Sequence, residues 1–123
     1  MKPLSVVVFQ GDGRSAESLA HSLHNHFRVV NVARNLDELR VAIPTHRADV
    51  AIVDLELARL DDVQQLCRQF TNISIVCTHR LADEKLWSLA LAAGAVDCCA
   101  SSDVRAIVLA ATNTPPIPQS HAA

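Results

Sequence analysis

Residues 48–55, Ala-Asp-Val-Ala-Ile-Val-Asp-Leu, constrain the fold more than any other stretch of the chain. The run is apolar and β-branched from Val50 to Val53 and stops abruptly on an acid, Asp54. A strand with no polar relief on either face belongs in the centre of a parallel sheet covered by helices on both sides. Asp54 then falls at the carboxyl end of a central strand, where open α/β sheets place their ligands and their chemistry. The chain is organised around whether that carboxylate works or merely caps a turn.

The flanking sequence alternates in the way such a sheet requires. Residues 4–9 (Leu-Ser-Val-Val-Val-Phe) read as a first strand, and a helix from Ser15 to His26 carries the apolar stripe Ala16, Leu19, Ala20 and Leu23. Residues 28–33 form a second strand, and Asn35 caps a helix that Pro44 is expected to end. After the central strand come a helix over 60–70, a strand over 72–77, a helix over 82–93 closed by Gly94, and a strand over 95–100. A last helix, capped by Ser101 or Ser102, runs through Ala111. Five βα repeats with short right-handed connections predict an α/β fold, a (βα)5 doubly wound five-stranded parallel sheet. Residues 1–111 make one domain, and the Pro-rich residues 112–123 read as a flexible tail or linker.

Composition narrows the function. Eleven basic residues against 13 acidic ones give a net charge of −2, which argues against nucleic acid as a direct partner. No apolar run is long enough to span a bilayer, and the start, Met-Lys-Pro-Leu, lacks the pattern of a signal peptide. Cys67, Cys77, Cys98 and Cys99 show no metal-binding spacing and read as buried thiols, which suits a reducing, cytoplasmic setting.

Two segments carry a family resemblance. Asp54-Leu-Glu-Leu-Ala-Arg-Leu-Asp61 resembles the response-regulator receiver segment that begins at a phospho-accepting aspartate, with Ala58-Arg59 where Pro-Gly is usual. Leu91-Ala-Ala-Gly-Ala-Val-Asp97 resembles the Gly-Ala-Asp-Asp that leads into the fifth strand of that family. The likeness spans residues 4–111 and implies a CheY-like, flavodoxin-type strand order of 2-1-3-4-5. It further implies that Asp54 is the phospho-acceptor, Thr78 the switch hydroxyl, and Ser101 the residue at the usual lysine position. The two acids that would hold Mg²⁺ beside Asp54 correspond to Gln10 and Gly11, with Asp12 one step further on, so Asp12 and Asp54 form at most a weak Mg²⁺ site. The aromatic of the fifth strand is replaced by Cys98.

These departures point to an atypical receiver, or pseudo-receiver, whose phosphorylation is lost or reduced. Two other readings stay open: a phosphorelay receiver using Asp54, and a small-molecule sensor whose pocket is lined by Gln10, Asp12, Asp54, Thr78 and Ser101. No enzymatic activity beyond self-phosphorylation or dephosphorylation at Asp54 is implied. His21, His24 and His26 crowd the first helix, but two imidazoles at helical spacing read as a solvated face before a metal site. Cys77 and Cys98 are expected on neighbouring strands, while adjacent Cys98 and Cys99 point to opposite faces. On the fourth helix Leu86, Leu89, Ala90 and Ala93 form the inward stripe, which leaves Trp87 and Leu91 outward, joined by Arg105 and Leu109 of the last helix. The family resemblance makes that face a homodimer or partner surface, with a histidine kinase or an output domain as the protein partner.

Overall fold

The computed structural model describes residues 4–10 and 13–112. Ten elements alternate strictly: β1 (Ser5–Phe9), α1 (Gly13–Leu23), β2 (Val29–Val32), α2 (Leu36–Thr45), β3 (Val50–Asp54), α3 (Leu60–Gln69), β4 (Ser74–His79), α4 (Glu84–Ala93), β5 (Asp97–Ala100) and α5 (Val104–Thr112). All strand pairings are parallel and the order is β2-β1-β3-β4-β5, as the sequence pattern and the resemblance implied. β3 is buried at all five positions, so it packs against helices on both sides.

Alternation along the strands divides the core in two. Val7, Phe9, Ala51, Val53, Ile75, Cys77 and Cys98 face Leu39, Ile43, Val63, Leu66 and Ala90 of α2, α3 and α4. Val6, Val8, Val50, Ile52, Val76 and Cys99 face Leu19, Leu23, Ile107 and Ala111 of α1 and α5. Each fully buried Val, Leu or Ile side chain contributes about 1.5–3 kcal/mol relative to exposure, so these two layers dominate stability.

The boundaries differ from the sequence pattern where local chemistry competes. Pro44 lies inside α2, which runs on to Thr45. Its ring suits helical φ, its missing N–H costs the helix the i→i−4 bond to Arg40, and the helix stops one residue later. The helix ends instead where Arg47 turns left-handed at φ 49°. β4 extends two residues past Cys77, to His79, because β5 continues to pair with it through the register His79–Ala100. The cap of α5 is Asp103, whose Oδ1 accepts the Ala106 N–H at 3.0 Å, and neither Ser101 nor Ser102. Gly94 closes α4 at φ 115° as expected. A Cβ there would also stand 2.7 Å from Cys67 Sγ, so no side chain fits. Thr112 belongs to α5, its Oγ1 donating to the Val108 carbonyl, and the rest of the proposed tail lies outside the described residues.

Candidate functional site at the carboxyl edge of the sheet

Parallel strands end together, so the topology gathers the predicted residues along one edge. Asp54 closes β3 in register with Thr78 of β4. Gln10 follows β1, whose Phe9 is in register with Val53. Ser101 follows β5, and its N–H donates to the His79 carbonyl at 3.1 Å. Gly11 and Asp12 lie outside the described residues.

The site is buried and already bonded to itself. Thr78 is fully buried, Asp54 is 2% exposed and Gln10 8%. The Thr78 hydroxyl donates to Gln10 Oε1 at 3.1 Å, spanning from β4 to the end of β1 across the strand that carries Asp54. A hydroxyl has one proton, so Thr78 has no second donor to give to a group on Asp54 while this bond stands. Asp54 Oδ1 accepts the Glu56 N–H at 2.8 Å, and its carbonyl accepts from Leu57 and Ala58, so the residue also organises the turn into α3. Ser101 Oγ is buried and has no hydrogen-bond partner among the described residues.

One pair in this region escaped the sequence reading. Arg80 Nε donates to Glu56 Oε1 at 2.8 Å, tying the loop after β4 to the loop after β3. The signal was present: Glu56 and Arg80 each lie two residues past register partners, Asp54 and Thr78, so parallel pairing brings them together. With Arg80 largely exposed, the pair is worth at most about 1 kcal/mol.

Among the described residues no three His, Cys, Asp or Glu side chains converge as a metal site. Beside Asp54 the described donors add only the neutral Gln10 amide oxygen, already engaged by Thr78. Mg²⁺ holds to sites through carboxylates in octahedral geometry, so these described donors alone would hold it weakly, and Asp12 lies outside them.

The thiols are core groups. Cys77 and Cys98 are register partners on β4 and β5, and Cys99 faces the opposite layer. Burial, first of all, raises the pKa of all four cysteines, and pushes Cys99 up to about 12.

The predicted interaction face is partly rearranged. Trp87 is 43% exposed, and its indole Nε1 donates to Asp97 Oδ1 at 3.0 Å, so the ring lies toward the edge of β5. Leu91 is half-buried, and Leu89, expected inward, is exposed. The α4 stripe therefore narrows to Leu86, Ala90 and Ala93. Arg105 and Leu109 also face α1. They line a groove of about 500 Å³ between α5 and α1, with His21, Ser22, Asn25 and His26 on its other wall.

No model of a known protein family matches the chain, and no curated protein matches it. Solved structures do. A response regulator from Thermotoga maritima is 17% identical and superposes with a TM-score of 0.80, over 91% of this chain and 97% of that one. A receiver domain of a Francisella response regulator is 17% identical with a TM-score of 0.75, over 91% and 99%. A Burkholderia pseudomallei response regulator, solved with a phosphorylated aspartic acid, a calcium ion and citrate, is 23% identical with a TM-score of 0.76, over 88% and 66%. Five parallel strands in the order 2-1-3-4-5, wrapped by five helices, give this chain the fold of a response-regulator receiver domain.

Proposed function

We propose that the chain is an atypical receiver in two-component-type signal transduction, one that acts through protein contacts with phosphoryl transfer at Asp54 lost or much reduced. The observation that carries this reading is the buried Thr78–Gln10 hydrogen bond, which occupies the switch hydroxyl and puts a neutral amide where a metal-binding acid would serve. Phosphoryl transfer depends on cations that neutralise the phosphoryl oxygens. Here the lysine position holds Ser101, and Mg²⁺ would be held weakly, by Asp54 with Asp12. The chain is then no enzyme, and it works in the cytoplasm.

Incubation with Mg²⁺ and acetyl phosphate, followed by intact mass, is expected to leave the protein unmodified. A stoichiometric phosphate adduct that disappears in Asp54→Asn would establish the second reading, a phosphorelay receiver. That reading draws on Asp54 standing at the end of β3 and on the phosphorylated aspartate in the Burkholderia structure.

The contact surface is the Trp87 side of α4 and β5, which takes a histidine kinase or an output domain. A half-exposed tryptophan is the residue type that anchors interfaces. Trp87→Asp is expected to abolish binding to a kinase or output partner while leaving the circular dichroism of the domain unchanged. Unaltered binding would remove the face from consideration.

A further inference from the structure

The two edges of the sheet are finished differently. β5 begins on a charged residue, Asp97, and the Trp87 indole is hydrogen-bonded to that carboxylate. Both features discourage another strand from adding there. Among the described residues β2 pairs with β1 alone, and it reads Val-Val-Asn-Val, with neither a charge nor a proline. Beside it runs a groove of about 420 Å³ between β2 and α2, lined in part by Val32, Ala33, Val41 and Ala42. Val32 is 39% exposed and Val41 64%. The side-chain amide nitrogen of Asn31, on the same strand and groove, is buried without a hydrogen-bond partner among the described residues. An open apolar strand edge with an apolar channel along it is the form that accepts another strand.

Charge selects the occupant. Exposed Arg28 immediately precedes β2, and the acids Asp37 and Glu38 open α2 just beyond the strand's other end. In an antiparallel pairing the start of one strand lies beside the end of the other. Two copies related by a two-fold axis near Val30 and Asn31 therefore bring Arg28 of each to the acidic end of the other. Arg34 and Arg40 are the like charges at that end; Arg40 Nη2 donates to Gln65 Oε1 at 3.4 Å, so it neutralises Asp37 only in part. Asp37 is available, its side chain 98% exposed and 3.9 Å from Arg40, the outer limit of an ion pair. The contact is isologous and closes as a dimer. The chain's own tail is a poor alternative, since Pro115, Pro116 and Pro118 cannot donate to a ladder.

We propose that two copies of this chain pair antiparallel through β2 into a continuous ten-stranded sheet, with Arg28 of each copy meeting Asp37 and Glu38 of the other. Four-residue strands make this a small interface and a weak dimer. It lies at the sheet edge opposite Trp87, and leaves that face free for a different protein.

Sedimentation velocity over a concentration series at low ionic strength tests it. The wild type is expected to dimerise reversibly. Arg28→Asp and Asp37→Arg are each expected to weaken dimerisation about tenfold, and the double swap to return it to within about threefold of wild type. Val32→Lys, at an exposed edge position, is expected to abolish it with an unchanged circular dichroism spectrum. Concentrated wild type is expected to protect the amides of residues 29–33 from hydrogen exchange relative to dilute protein. A wild type monomeric throughout, or a double swap as weak as the single variants, overturns the proposal. Association lost in Trp87→Asp but untouched in Val32→Lys also overturns it, by putting the copy contact on α4, and leaves the proposed signalling role standing.

Discussion

Gln10→Asp combined with Ser101→Lys is expected to convert the chain into a stoichiometric phospho-acceptor at Asp54. The first change puts a second carboxylate beside Asp54 and removes the amide that holds the Thr78 proton. Two carboxylates suit Mg²⁺ where one carboxylate and a neutral oxygen do not. The second change supplies a cation where Ser101 Oγ has no partner among the described residues, and a cation there balances the oxygens of a transferring phosphoryl group. The same chemistry sets a stability signature. Gln10→Asp alone, without Mg²⁺, crowds two buried acids together, raises the cost of ionising either, and lowers stability by about 1–3 kcal/mol. Millimolar Mg²⁺ should restore much of that loss by binding only the folded state. Intact mass after acetyl phosphate treatment, with urea unfolding in the presence and absence of Mg²⁺, measures both effects. An unmodified double variant whose stability ignores Mg²⁺ would show that the backbone at this edge does not hold the phosphoryl geometry.

The second large effect is a loss of stability in alkali. Burial raises the Cys77 thiol well above its ordinary value of 9.0 and takes Cys99 to about 12. In the unfolded chain these groups ionise near their ordinary value, while in the folded chain they stay protonated. The stability they allow is therefore complete below about pH 9 and declines as pH rises through the window up to the folded values. Each thiol that ionises only on unfolding costs about 1.4 kcal/mol per pH unit, so the two together set a slope of about 2.7 kcal/mol per unit. Against a typical total of about 5–15 kcal/mol, that unfolds the domain within a few units of pH. The chain has no tyrosine, so no phenol adds to the slope. Urea midpoints measured under reductant from about pH 8 to about pH 11 should fall steadily, and Cys77→Val should flatten the slope by about 1.4 kcal/mol per unit. An unchanged slope in Cys77→Val would mean that other groups carry the alkaline transition.

The fold was legible because burial on both faces leaves a distinctive trace. Val50 to Val53 admit no polar residue, and strict alternation of such runs with amphipathic segments allows few topologies. Asn35 and Gly94 announced their caps because a side-chain oxygen and a left-handed residue have few substitutes at those positions. What failed was local competition. Asp103 took the cap from the preceding serines, its ionised oxygen being the stronger acceptor. Pro44 stands one residue inside the end of α2, its fixed φ being compatible with the helix it was expected to stop.

The site was legible as a set of residues but not as a set of bonds. Asp54, Thr78, Gln10 and Ser101 could be placed at one sheet edge from strand order alone. That Thr78 turns to Gln10, and that Arg80 turns to Glu56, depends on side-chain torsions that no periodicity encodes. The groove at Arg105 and Leu109 was not legible for a related reason. Outward on a helix wheel names a direction, and the position of α1 decides which surface that direction meets.

The Trp87–Asp97 hydrogen bond makes the only tryptophan a spectroscopic observer of a single junction. Its emission reports whether α4 is seated against the start of β5, and is silent about the β2 edge. Fluorescence and far-ultraviolet dichroism will trace the same curve only if the sheet comes apart as one unit. A fluorescence change that precedes the loss of ellipticity would locate the first opening of the molecule at that helix.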